Sequence, residues 1–178
     1  MKGSRANRVT IVLFIVYLVA VFWIIVLKLN VQFSNIGTRN INLIPYKAPL
    51  LLNATPDYGE MIMNVLIFVP LGLYAGILFK SWSFGKKVFL AFSVSFLCEV
   101  FQFILRIGLF DTTDLVNNTL GGIIGLIIYK GIEKAMGSSK AQKYINVFSL
   151  IGTFSVLLFL FLLKMEALWI FGINLRYQ

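Results

Sequence analysis

Four stretches of this chain, 9–29, 61–79, 88–106 and 145–163, are apolar for long enough to cross a lipid bilayer, which takes about 20 helical residues. That feature restricts the fold more than any other. Backbone in hydrocarbon must satisfy its own N–H and C=O groups, and only helices and closed barrels do so. Continuous apolar runs of this length, without period-two alternation, select helices. A fifth span, 114–130, is less apparent, because it reaches a crossing length only if the polar turn at its start is counted as helix. Composition agrees: 59% of the 178 residues are hydrophobic and 13% charged, where soluble domains have about a quarter charged. The expected fold is an all-α integral membrane protein of about five transmembrane helices, forming one domain over residues 1–178.

The net charge of +9 would raise the question of nucleic acid in a soluble protein, but here the basic residues sit at the ends of the apolar runs and read as topology signals. With the N-terminus inside, ten Lys and Arg fall on the cytoplasmic side (Lys2, Arg5, Arg8, Lys80, Lys86, Lys87, Lys130, Lys134, Lys140 and Lys143) and six elsewhere, as the positive-inside rule prefers. The first span is too long for a signal-peptide core and is expected to be retained. Residues 30–60, broken by Pro45, Pro49 and Pro56, then form an extracytoplasmic loop that is expected to pack onto the protein. The chain has no histidine and one cysteine, Cys98, so Ser-His and Cys-His pairs and an intrachain disulfide are excluded, and Cys98 reads as a small buried side chain. No cofactor and no metal are expected, and carboxylates are the only acid or base groups left inside the membrane.

The polar residues of "SFLCEVFQFILRIGLFDTTDLVNNTLGGIIG", Ser95 to Gly125, therefore matter most. At 100° per residue, Ser95, Glu99, Gln102 and Arg106 make one stripe on the third helix. Asp114, Asn118, Gly121 and Gly125 share a face of the fourth, flanked by Asn117 and Gly122. The G-x-x-x-G spacing of Gly121 and Gly125 marks a seat for a neighbouring helix. Membrane-buried charges usually face a bundle interior or a water-filled cavity and find partners there. An outward-open polar pocket lined by Asn64, Glu99, Gln102, Arg106, Asp114 and Asn118 is the expected result. A purely structural alternative has Gln102 bridging Glu99 and Arg106, with Arg106 pairing Asp111 or Asp114 to hold the helix connection.

The segments "NLIPY" (Asn42 to Tyr46), "NVLIFVPLG" (Asn64 to Gly72), "EVFQ" (Glu99 to Gln102) with Arg106, and "FDTTDLVNNTLGGIIG" (Phe110 to Gly125), in this order, resemble the VanZ-like family of bacterial membrane proteins. The likeness spans about half the chain, and the connection at Ile107, Gly108 and Leu109 is slightly longer than the family pattern. It implies a multi-pass protein of the bacterial plasma membrane. The family's motif positions fall on Asn42, Pro45, Asn64, Pro70, Gly72, Glu99, Gln102, Arg106, Asp111, Asp114, Asn118 and Gly121. The resemblance implies a link to low-level resistance to the glycopeptide antibiotic teicoplanin but no established mechanism. Asn42, Asn64, Glu99, Gln102, Arg106, Asp111, Asp114 and Asn118 are read from the residues as the ligand-binding set.

Three functional readings follow. In the first, the pocket binds or shields a membrane lipid, a lipid-linked cell-wall precursor or the lipid-bearing antibiotic. In the second, Glu99 is the catalytic acid or base of an enzyme acting on an outer-leaflet lipid, with Asp111 and Asp114 as conceivable divalent-metal ligands. The third is a proton-coupled transporter, disfavoured because no internal repeat is evident.

Overall fold

The computed structural model describes residues 2–26, 41–46, 58–106 and 110–174, with the side chains of 2–5, 26, 156–157 and 159–174 outside that set. In chain order it contains α1 (Lys2–Val26), β1 (Ile41–Asn42), α2 (Tyr58–Leu78), α3 (Phe84–Leu105), β2 (Phe110–Asp111), α4 (Thr112–Met136) and α5 (Ser138–Asn174). Among the described residues, four helices carry stretches long and apolar enough to cross a membrane: Ala6–Ile25, Tyr58–Leu78, Phe84–Leu105 and Thr112–Met136. The expected fourth crossing, 114–130, is thus the middle of a longer helix whose polar first turns are helical. The remaining expected crossing, 145–163, falls within α5, much of whose side-chain detail there lies outside the described residues.

The helices pack as a bundle whose outer faces stay apolar and exposed, including Val12, Val19, Phe89, Phe101 and Phe148. Exposed apolar surface of this extent marks an interaction surface, and on spans of this length the medium it meets is lipid. Inside, Val21, Ile25, Phe68, Leu71, Ala91 and Cys98 form one buried cluster, and Ile77, Tyr129, Ala141 and Ile145 another.

The tightest contact joins α2 to α4. A Cβ built on Gly121 would overlap the Val65 carbonyl oxygen, one on Gly125 the Val69 carbonyl oxygen, and one on Gly72 the Gly122 carbonyl oxygen. Backbone meets backbone along the seam, which is what small residues at helix spacing permit in a membrane. The seat expected at Gly121 and Gly125 is therefore filled by α2, with Gly72 as the answering residue.

Pro70 lies inside α2, where it removes one backbone donor and frees the carbonyl four residues earlier. The adjacent Ile67 carbonyl accepts the Tyr17 hydroxyl of α1 at 2.9 Å, so a neighbouring helix supports the disturbed turn. At one end of the bundle, α2 passes to α3 through a short turn capped by Ser83, and α4 passes to α5 at Gly137, whose φ of 83° suits a residue without Cβ. Lys80 of the first connection donates to the Ser138 hydroxyl of the second, and Lys130 lies over the Phe84 ring at 4.8 Å.

Candidate functional site

At the opposite end, the chain enters α4 through Asp111, an N-cap with an extended backbone (φ −117°, ψ 118°) whose side chain accepts the Thr113 N–H at 2.7 Å. A capping carboxylate satisfies one of the four orphan donors of a helix start and complements its dipole. The same oxygen accepts the Asn42 amide at 3.1 Å. Asn42 and Asp111 are also paired in register in a two-stranded parallel sheet, with Ile41 opposite Phe110.

The short segment 41–46 is fastened to α4 by side chains along its length. Thr112 donates its hydroxyl to the Asn42 carbonyl at 3.0 Å, the Tyr46 N–H donates to the Thr113 hydroxyl at 3.1 Å, and the Tyr46 hydroxyl donates to Asn117 Oδ1 at 3.0 Å. Asn42 Oδ1 accepts the Ile44 N–H at 3.3 Å, an Asn side chain bonding backbone two residues on and so fixing a turn. The loop expected to pack on the protein does so over 41–46; its other residues lie outside the described set.

Beneath this layer lies Glu99, fully buried on α3. Its Oε2 accepts the backbone N–H of Asp111 at 2.9 Å. One buried carboxylate thus positions the residue that caps α4 and pairs with Asn42. One turn before Glu99, Ser95 accepts the Asn118 amide at 2.9 Å, joining α3 to α4. Asn64 of α2 donates to Asp114 Oδ1 at 2.8 Å, joining α2 to the first turn of α4.

Asn42, Asn64, Glu99, Asp111, Asp114 and Asn118 therefore meet around the start of α4. Gln102 and Arg106 do not share those contacts. Gln102 is buried and turns its amide to α1, donating to the Ile25 carbonyl at 2.9 Å, so it does not bridge Glu99 and Arg106. Arg106 has left the helix: it is the exposed C-cap of α3 with φ 58°, a left-handed conformation whose N–H recaptures carbonyls of the last turn. Side chains leaving the helix at a cap no longer follow its 100° periodicity, and the stripe ends at Gln102.

Thr112, Thr113 and Tyr46 also take part, and periodicity does not single them out. Their signal was local: two threonines between a capping Asp and an apolar helix, and a Tyr closing a Pro turn.

Three buried amide atoms here, Gln102 Oε1, Asn117 Nδ2 and Asn118 Oδ1, have no hydrogen-bond partner among the described residues. Each such group costs about 1–3 kcal/mol relative to a satisfied one, and buried orphans ask for a specific explanation. A cleft of about 260 Å3 opens at Asn117, otherwise lined by Tyr58 and the apolar side chains Met61, Ile62, Val65 and Leu66 of α2. The cleft thus presents an apolar wall beside the buried amide of Asn117. Asp111 is engaged by Thr113 and Asn42 and Asp114 by Asn64, and no group of three or more metal-ligating side chains occurs among the described residues.

Helices that bury a carboxylate and several amides at one end, beneath an otherwise lipid-facing surface, define a multi-pass integral membrane protein with a polar cluster at one end. The VanZ/LLP1 family model matches residues 14–136, and the chain is 36% identical over 132 residues to protein VanZ of Enterococcus faecium, covering 72% of this chain and 78% of that one. The chain belongs to the VanZ/LLP1 family. No solved structure matches it.

Proposed function

We propose that this protein lies in the bacterial plasma membrane with its N-terminus in the cytoplasm, and lowers susceptibility to lipid-bearing glycopeptides. It does so by holding the antibiotic, or a lipid-linked cell-wall precursor, at the polar end of the bundle. The observation that carries the reading is the buried amide nitrogen of Asn117, unpartnered among the described residues, at a cleft otherwise walled by Tyr58 and apolar side chains of α2, one turn from the α4 start where Asn42, Asn64 and Glu99 converge on Asp111 and Asp114. Polar groups there suit a ligand's headgroup or peptide, and the wall suits its aliphatic part. The relation to an enterococcal protein VanZ supports the glycopeptide context. Basic residues gathered at the α2–α3 and α4–α5 connections (Lys80, Lys86, Lys87, Lys130 and Lys134) support a cytoplasmic location for that end, which leaves the polar site facing outward.

The test is growth inhibition by teicoplanin, which carries an acyl chain, and by vancomycin, which does not, in bacteria with and without the protein. Wild type is expected to raise the inhibitory concentration of teicoplanin at least fourfold and that of vancomycin less than twofold. Asp114→Asn, present at the same membrane level, is expected to abolish that protection, because loss of the carboxylate leaves Asn64 facing a second amide and removes the charge from the α4 N-terminus. Equal protection against both antibiotics, or full protection by the variant, sinks the proposal.

A further inference from the structure

A second, larger cavity lies between α1, α2 and α5, away from the residues of the polar site. It measures about 410 Å3 and is lined mainly by apolar and aromatic side chains, among them Tyr17, Trp23, Pro70, Tyr74 and Phe148, with Gly152 in its α5 wall. Such a volume falls within the range of small-molecule sites, roughly 300 to 1,000 Å3.

The gap is held open from both ends of α1. Near its start, Thr10 donates to Asn146 Oδ1 of α5 at 3.0 Å and accepts the Gln142 amide at 2.9 Å. Near its end, the Ile25 carbonyl accepts from Gln102 of α3. Buried hydrogen bonds are costly to break, so α1 is pinned on either side of the stretch Val16 to Ile24 that lines the cavity. That stretch is about 12 Å long at 1.5 Å per residue. Its floor is buried Val21 and Tyr74, while Trp23 and Phe148 stay exposed at the rim. A Cβ at Gly152 would meet no atom within 4 Å, which places empty space directly over the α5 backbone.

The lining residues of α1 and α2 belong to stretches apolar and long enough to cross the bilayer, so the rim faces hydrocarbon rather than water. We infer that this groove is a binding slot for one acyl chain of a membrane lipid. The chain lies along α1 with its head toward the Trp23 and Ile25 end, where Trp suits the membrane interface and where the Gln102 bond leads to the polar site. A slot of this kind orders one lipid beside that site, whatever the site itself binds.

The test uses the full-length protein in detergent with phosphatidylglycerol whose palmitoyl chain carries a mid-chain diazirine. After illumination, the labelled residues are mapped by mass spectrometry with and without excess unlabelled phosphatidylglycerol. Labelling within 16–24, 67–74 and 148–153 that the competitor displaces is expected. Gly152→Phe, which fills the slot, is expected to cut that displaceable labelling at least fivefold, whereas Gly131→Phe, at another position where a Cβ meets nothing within 4 Å, leaves it unchanged. Labelling spread over Phe89 and Phe101 as strongly as over the slot and insensitive to competitor, or full displaceable labelling in Gly152→Phe, overturns the inference. So does concentration-dependent crosslinking of two copies through Phe148, since a second copy then covers the groove. Asp114→Asn is expected to retain the labelling, so failure of the polar-site proposal and failure of the slot are read separately.

Discussion

Valine at position 125 is expected to cut the amount of protein in the membrane about tenfold or more, whereas valine at 131 leaves it unchanged. The added Cβ at Gly125 falls on the Val69 carbonyl oxygen, with the Gly72 Cα only 3.0 Å away. Those atoms are backbone and cannot turn aside as a flexible side chain would. Overpacking of an ordinary core costs about 1–3 kcal/mol, and a rigid obstacle at the centre of a helix seam belongs at the top of that range. Each 1.4 kcal/mol is a tenfold change in an equilibrium. Prising α2 from α4 also forfeits close contacts along the whole seam, and inside a bilayer van der Waals packing is a main source of helix association. Gly131 sits on the same helix where a Cβ would meet nothing within 4 Å, so the pair of variants separates the seam from any general intolerance of α4 to valine. Immunoblots of washed membranes measure the outcome. Equal levels for both variants would mean that α2 and α4 do not approach as closely as described.

Leucine at Glu99 is expected to leave the protein in the membrane and to remove its function. The carboxylate accepts the Asp111 N–H from a fully buried position. Its loss strands that donor, at about 1–3 kcal/mol, and loosens the joint where β2, the α4 cap and the Asn42 to Tyr46 segment meet. The glycine seam lies elsewhere on α4 and survives, so abundance is expected to fall less than twofold. Glu99→Gln keeps an acceptor oxygen within reach of that N–H but puts an amide NH2 where the second carboxyl oxygen stood, so it restores the bond only in part. Teicoplanin protection is therefore expected to fall in the order wild type, Gln, Leu, with limited proteolysis near Tyr46 rising in the same order. Full protection by the Leu variant would show that the joint is not needed for activity. Loss of protection with an unchanged proteolysis pattern would instead assign Glu99 a direct contact with the ligand.

The helices were legible because each apolar run solves the same backbone problem, and Gly121 and Gly125 could be read as a contact because only a close neighbour rewards bare backbone at that spacing. Their partner could not be read: Gly72 and Gly76 repeat the same spacing in α2, but spacing alone does not say which helix faces which. Helical arithmetic placed Glu99 and Asn118 on inward faces and failed at the ends of elements. Arg106 lies on the same 100° series as Gln102, yet the helix stops there and the chain turns left-handed. Gln102 itself shares the stripe of Glu99 but answers to α1, because a stripe fixes direction relative to its own axis and not which neighbour stands opposite. The pairing of Asn42 with Asp111 was beyond such reasoning, since it joins residues 69 apart through two-residue strands too short to leave a pattern.

The α2–α4 seam also decides how this molecule is able to move. Two helices in backbone contact at Gly72, Gly121 and Gly125 cannot slide past one another without driving a carbonyl into a chain, so they act as a single rigid body, a chassis for the rest. Rearrangement on binding is then expected in the parts attached by side chains: α1, held by the hydrogen bonds of Thr10, Tyr17 and Ile25 and by the packing of Val21 and Ile25, α5 beside it, and the segment 41–46 resting on the α4 cap. Packed interfaces switch between discrete arrangements rather than deforming smoothly. The seam is built of backbone atoms with no side chain to turn aside, so such a switch is expected at the hydrogen bonds of Thr10, Gln102 and Tyr46 instead.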